Sequence, residues 1–157
     1  MTDEEKNLLT QIFRLFTQSD VDVSSGYVDR YMKLFKKPEA RMMMGAFNNM
    51  ESIHQHAYSL LLDTVGMPEV EYKAFAEYEA MADKHEYINA VKVAKGDKKS
   101  IAKALAIYSG FTEGLQLFSS FIILLNFPRF GKMKGMGQII TYSIRDESMH
   151  VEAMTKL

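Results

Sequence analysis

Apolar residues recur along this chain at steps of three and four, the repeat of a helix with one buried stripe. No segment alternates with period two for long enough to be a strand. Leu8, Leu9, Ile12, Phe13, Leu15 and Phe16 fall on one broad stripe, and Thr2 with Glu5 forms the T-x-x-E pattern of a capping box that opens their helix. Ser24, Ser25 and Gly26 predict a bend before a short helix through Leu34. Pro38 suits a first helical turn and Gly66-Met67-Pro68 a stop, so a second long helix is expected from about 38 to 65. The polar stretch from 69 to 96 predicts one or two helices ending near Gly96. Asp97 can cap a long helix that reaches about Asn126 and is broken by Pro128 and Gly131. The last helix is expected to start between Met133 and Met136 and to run to Leu157. Four long helices, with longer connections after the second, read as an antiparallel all-α bundle.

Composition narrows the chemistry this bundle can carry. At 157 residues the chain is expected to form one domain, 1–157, large enough to bury a core without staples. Nineteen basic and 20 acidic side chains leave a formal charge of −1, which gives no footprint for nucleic acid and no polybasic membrane patch. The most apolar run, Phe118 to Phe127, is about half the ~20 residues that span a bilayer. The start, Met-Thr-Asp-Glu-Glu-Lys, carries no signal-peptide pattern, so a cytoplasmic location is expected. Cysteine is absent, so any metal must be held by Asp, Glu and His.

Those residue types form a pattern. The second and last long helices each contain Glu-x-x-His: Glu51 with His54, and Glu147 with His150. A three-residue step puts both side chains on one helix face, within reach of one ion. The other two long helices each place one carboxylate in apolar surroundings, Asp20 after the Leu8–Phe16 stripe and Glu113 on a face continued by Leu117, Phe121 and Leu124. One carboxylate from each of two helices plus Glu-x-x-His from each of the others is the ligand set of the ferritin-like dimetal carboxylate bundles, with Asp20 replacing the usual Glu. Glu is 12 of 157 residues, so two Glu-x-x-His hits among four histidines would arise by chance at roughly 3 in 100. Four carboxylates would neutralise two divalent ions, and the imidazoles supply the nitrogen that suits iron or manganese.

Around this set the spacing leaves alternatives open. Tyr58, four residues after His54 on the same face, is either a core tyrosine donating to a carboxylate or a redox-active phenol beside an oxidising metal pair. Asp146 is either a carboxylate orienting a ligand imidazole or a surface partner of Arg145. His56 and His85 are not assigned as ligands, and the 12 methionines are expected to fill the core. Lys132, Lys134 and the glycines from Gly131 to Gly137 read as a connecting loop rather than a phosphate-binding motif.

At these residues the sequence resembles the small subunit of class I ribonucleotide reductase. The segment from Leu9 to Asp20 looks like the family's first ligand helix, and Glu51-Ser-Ile-His54-Gln-His-Ala-Tyr58 is similar to its Glu-x-x-His-x-x-x-Tyr motif. Glu113 to Phe121 resembles the third ligand helix, and Arg145-Asp146-Glu147-Ser-Met-His150 the closing Arg-Asp-Glu-x-x-His motif. The resemblance implies a pair of metal ions (iron, manganese or one of each) held by Asp20, Glu51, His54, Glu113, Glu147 and His150. It implies that the reduced pair reacts with O₂ and makes Tyr58 a radical, with Leu117 and Phe121 helping to keep its pocket dry. It further implies a homodimer that passes the radical to a large catalytic subunit, where ribonucleotides become the deoxyribonucleotides used in DNA replication. Family members are longer, so the chain is expected to be shortened at both ends; the usual relay tryptophan and the C-terminal docking tail with its tyrosine are not found in it. Two other functions would use the same ligands or their remnant: a ferritin-like metal oxidase or storage module, and an inactive truncated copy.

Overall fold

The capping box forms at the N-terminus, where Thr2 Oγ1 accepts from the Glu5 N–H at 3.2 Å and Glu5 Oε2 accepts from the Thr2 N–H at 2.8 Å. The computed structural model describes residues 1–66 and 79–157, all helix and connections with no strand among them. From the capping box runs α1 (Asp3–Gly26), with Asp3, Glu4 and Glu5 placed against the positive end of its dipole. The bend expected at Ser24–Gly26 does not occur. Gly26 is right-handed helical, and the chain continues through a π-helical turn, Tyr27–Tyr31, into Met32–Leu34. The physical reason is tertiary. Ser24 donates to Asn48 Oδ1 at 2.7 Å instead of competing for its own backbone, and a Cβ on Gly26 would lie 3.3 Å from the Tyr108 ring. This glycine serves close packing, not a turn.

Pro38 occupies the first turn of α2 (Pro38–Thr64), which stops as Gly66 turns left-handed at φ 81°. Met67 and Pro68 lie outside the described residues. Within the polar stretch the described part is α3 (Glu79–Ala90). Asp97 caps α4 (Lys98–Arg129) through the Lys99 N–H at 3.0 Å. That helix runs past Pro128, which sits in its last turn, and ends before Gly131 at φ 79°. Within it, Ala106–Gln116 is π-helical, and Thr112 Oγ1 donates to the Ile107 carbonyl, five residues back, at 3.0 Å. Met133 adopts a left-handed conformation, φ 48°, immediately before α5 (Lys134–Thr155).

Two apolar clusters determine how these helices run. One gathers Phe13 and Phe16 of α1, Tyr58 and Leu62 of α2, Phe121 of α4 and Ile140 of α5. The other gathers Tyr27 and Tyr31 after α1, Phe47 of α2, Tyr108 of α4 and Met154 of α5. Following α1 and α5 from N- to C-terminus leads from the first cluster to the second, whereas α2 and α4 lead from the second to the first. Hence α1 and α2 are antiparallel, α4 and α5 are antiparallel, and α2 and α4 run in the same sense. The long connection after α2 makes that possible, so the bundle is not antiparallel throughout. One long crossover in a four-helix bundle is the ferritin-like arrangement. Each fully buried Leu or Phe in these clusters contributes about 1.5–3 kcal/mol.

Length and composition alone would let α4, at 32 residues, cross a membrane, a test that core helices of soluble proteins also pass. The Phe118–Phe127 run considered above is only its most apolar part. The buried carboxylate of Glu113 near its middle fits a bundle helix better, because a charge at the bilayer centre is costly.

At the α4–α5 corner packing is tight. A Cβ added to Gly137 would collide with the Pro128 ring, whereas one added to Gly135 would meet nothing within 4 Å. Gly137→Ala is therefore expected to destabilise by about 1–3 kcal/mol through overpacking. Gly135→Ala is expected to stabilise by up to about 1 kcal/mol through helix propensity. Thermal denaturation of the two variants checks the opposite signs.

Candidate metal centre

Between the two apolar clusters each of the four long helices turns a polar residue inward. Asp20, Glu51, Glu113 and Glu147 are each 1% exposed, His54 5% and His150 0%. On α2 and α5 the three-residue step aligns Glu51 with His54 and Glu147 with His150. On α4, Glu113 lies in the π-helical segment, whose wider turn changes which residues face the neighbours.

The six side chains converge into two overlapping groups. Asp20, Glu51, His54 and Glu147 offer ligand atoms that all lie within 4.8 Å of one another, and so do Glu51, Glu113, Glu147 and His150. Glu51 and Glu147 belong to both. Each divides its oxygens between the imidazoles: Glu51 Oε2 lies 3.5 Å from His54 Nδ1 and Oε1 3.0 Å from His150 Nδ1. Glu147 Oε1 lies 3.2 Å from His54 Nδ1 and Oε2 3.4 Å from His150 Nδ1. Asp20 Oδ2, Glu51 Oε1, His54 Nδ1, Glu113 Oε2, Glu147 Oε2 and His150 Nδ1 are buried and, apart from these approaches within the cluster, have no hydrogen-bond partner. One unsatisfied donor atom from every one of six residues is the chemistry a pair of cations completes.

Charge tells the same story. Burial, then the nearby carboxylates of Glu51 and Glu147, push the Asp20 carboxyl well above its usual range. Burial raises Glu113 from 4.5 to about 7. Burial also opposes protonation of both histidines, but the carboxylates outweigh it: Glu147 and Glu51 raise His54 to about 11, and Glu113, Glu147 and Glu51 raise His150 to about 12. Glu147 is lowered, because the two imidazoles overcome the effect of its burial. Without metal the cluster thus holds protons where ions would sit.

Outer partners separate the two halves. His54 Nε2 lies 3.4 Å from Asp146 Oδ2, while Arg145 Nε donates to Asp146 Oδ1 at 2.9 Å. Asp146 thus touches both His54 and Arg145. His150 Nε2 instead faces the Met50 sulfur at 3.4 Å. Tyr58, 2% exposed, donates to Ser143 Oγ at 2.7 Å and not to a carboxylate. Its ring packs 5.0 Å from Phe16, which lies 5.2 Å from Phe121, and Leu117 belongs to the same buried cluster. His56 is exposed and His85 pairs with Asp22 at 2.7 Å, so both lie outside the two groups. Lys132 lies in the connection, ion-paired with Glu5, but the loop expected from Gly131 to Gly137 is shorter, because Lys134, Gly135 and Gly137 already belong to α5. Sequence reasoning missed Tyr27, which donates to Glu113 Oε1 at 2.9 Å, and Ser143. Both lie at helical steps from ligand positions, seven after Asp20 and four before Glu147, a signal that spacing carried.

Comparison with known proteins yields one family. The model of the family described as ribonucleotide reductase, small chain, matches residues 1–157. The probable ribonucleoside-diphosphate reductase small subunit 376L of Invertebrate iridescent virus 6 is 51% identical over 169 aligned residues, covering 100% of this chain and 47% of that protein. The corresponding 048L protein of Invertebrate iridescent virus 3 is 45% identical, with 100% and 46% covered. The ribonucleoside-diphosphate reductase subunit beta of Chlamydia pneumoniae is 25% identical, with 96% and 47% covered. The chain spans about half the length of these relatives.

Two outcomes follow from the shared carboxylates and from the protons. Glu51→Ala or Glu147→Ala should abolish binding at both groups, whereas Asp20→Ala or Glu113→Ala should spare the opposite one; elemental analysis of purified variants distinguishes them. The second concerns pH. Glu113 keeps its proton to about pH 7 when folded but loses it near 4.5 when unfolded, so its contribution to metal-free stability falls as pH rises through that window. The stabilisation from His54 and His150 is complete below 6.5 and is lost as pH rises toward about 11 and 12. Metal binding needs those protons gone. The gap in Tm between iron-loaded and metal-free protein should therefore widen with pH, and a metal-free Tm that rises from pH 4.5 to 7 would contradict the protonated cluster.

Proposed function

The chain belongs to the ribonucleotide reductase small-chain family, and from that premise we propose that residues 1–157 form one domain holding a dimetal centre that generates a radical on Tyr58. The observation that carries this reading is the pair of buried donor groups sharing Glu51 and Glu147, with Tyr58 packed beside them. Asp20 and His54 complete the site for one ion, Glu113 and His150 the site for the other. Iron in both sites suits these oxygen and nitrogen donors best; manganese in one or both is the alternative. When bound, such a pair supplies the power to take single electrons with O₂ as oxidant.

The chain's own residues prepare the rest. Asp146 accepts from the outer nitrogen of His54, which leaves Nδ1 bare toward the metal, and Arg145 holds Asp146 in place. Ser143 fixes the Tyr58 hydroxyl by accepting its hydrogen bond, and is itself held by donating to the Ile139 carbonyl. Burial, with the charge of Asp20 next, holds the phenol well above its usual pKa, so the phenol remains neutral until it is oxidised. Phe16, Leu117 and Phe121 exclude water from it. The radical is destined for a large catalytic subunit that reduces ribonucleotides to deoxyribonucleotides, and the working unit pairs two copies of the chain in the cytoplasm.

Elemental analysis is expected to find about two ions per chain, the number the shared ligands support. Iron(II) and O₂ should then give a phenoxyl signal by electron paramagnetic resonance whose main component is lost in Tyr58→Phe. A spectrum unchanged in Tyr58→Phe would remove Tyr58 from this role. Repeated turnovers of iron oxidation with no phenoxyl signal would favour an oxidase or storage module, and absence of bound metal an inactive copy.

A further inference from the structure

We infer that Tyr27 is a second oxidisable phenol, on the Glu113 side of the centre; this rests on the dimetal reading above. Tyr27 is 1% exposed, and its hydroxyl donates to Glu113 Oε1 at 2.9 Å. That carboxylate belongs to the donor group it forms with Glu51, Glu147 and His150: its Oε1 also lies 3.5 Å from His150 Nδ1, and its Oε2 is buried without a partner. The phenol is therefore one hydrogen bond from a residue offered to an ion, and its ring lies edge-on to His150 with centroids 6.2 Å apart. Tyr58 is placed differently, packed near Asp20 and His54 in the opposite apolar cluster. One phenol flanks each half of the site.

On this side of the centre the hydrogen-bond acceptor decides which tyrosine holds the radical. Removing an electron from a phenol makes its proton strongly acidic, so among neighbouring phenols the radical is favoured on the one whose acceptor can keep that proton. Tyr31 and Tyr108 continue a line of rings outward from Tyr27, with centroids 6.0 Å apart at each step. Their hydroxyls donate to the backbone carbonyls of Ala104 at 3.1 Å and Ile88 at 2.9 Å. A carbonyl accepts a hydrogen bond but does not keep a proton, whereas the carboxylate of Glu113 does. In this line the missing electron settles on Tyr27.

The electron count gives this phenol a task. Reduction of O₂ to two waters takes four electrons and four protons. Two metal ions passing from the divalent to the trivalent state give two electrons and Tyr58 gives one. Tyr27 would supply the fourth: its O–H bond breaks, the electron goes to the O₂-oxidised metal pair and the proton goes to Glu113 Oε1, while the Tyr58 proton and three protons from solvent water complete the two waters. No bond forms to the ring, and the product is a neutral phenoxyl.

The test uses the whole chain loaded with iron(II), mixed with O₂, frozen within milliseconds and read by electron paramagnetic resonance, with iron content and iron oxidation measured in the same samples. Tyr58→Phe should retain a phenoxyl signal. That signal should be lost when Tyr27→Phe is added and kept when Tyr31→Phe is added instead. A Tyr58→Phe protein that binds and oxidises iron yet shows no phenoxyl overturns the inference and leaves the metal centre standing. A chain that binds no iron overturns both. Should Tyr27→Phe fail to fold, site-specific fluorotyrosine at position 27 in the Tyr58→Phe background preserves the phenol and its hydrogen bond. An added fluorine splitting supports the assignment, and an unchanged splitting overturns it.

Discussion

Four carboxylates buried within a few ångströms of one another are the constraint on which the rest of this molecule depends. An isolated carboxylate in an apolar interior costs several kcal/mol, and neighbours of the same sign add to that. Asp20, Glu51, Glu113 and Glu147 come from four different helices and can meet only if all four are held at fixed depth. The two apolar clusters, one on each side of the polar layer, do the holding. Apolar burial is thus concentrated at the two ends of the bundle and buried charge at its middle, a division expected where burial is used for chemistry rather than for folding.

Tolerating that layer shapes local structure. The π-helical segment of α4 carries Glu113, and the π-helical turn after α1 carries Tyr27, so the two irregular stretches meet through the hydrogen bond between those residues. Helix irregularity of this kind is frequent at functional sites, because an extra residue per turn re-aims a side chain without breaking the rod. The bare inner nitrogens of His54 and His150 follow from the same economy, since their outer nitrogens face Asp146 and the Met50 sulfur.

The two halves of the centre are not equivalent. On one side His54 is backed by Asp146, and Tyr58 reaches only a serine hydroxyl. On the other side His150 is backed by a thioether, and Tyr27 donates directly to the Glu113 carboxylate. A carboxylate makes an imidazole a stronger donor than a sulfur does, so two ions of the same element would experience different fields. In the proposed radical chemistry, such asymmetry would direct oxidation to one phenol before the other.

Much of this was legible in the chain itself. Glu-x-x-His twice, with Asp20 and Glu113 inside apolar stripes, named all six donors, because a three-residue helical step is a local rule that needs no partner. Helix starts at Thr2, Pro38 and Asp97 were equally local. The bend at Ser24–Gly26 was misread because a serine that bonds across to Asn48 and a glycine that admits the Tyr108 ring look, in sequence, like a turn. The shared direction of α2 and α4, the π segments, the serine partner of Tyr58 and the approach of Tyr27 to Glu113 were decided only by tertiary structure. Each depends on which side chains meet across helices far apart in sequence, 86 residues apart for Tyr27 and Glu113, and no local periodicity encodes that meeting.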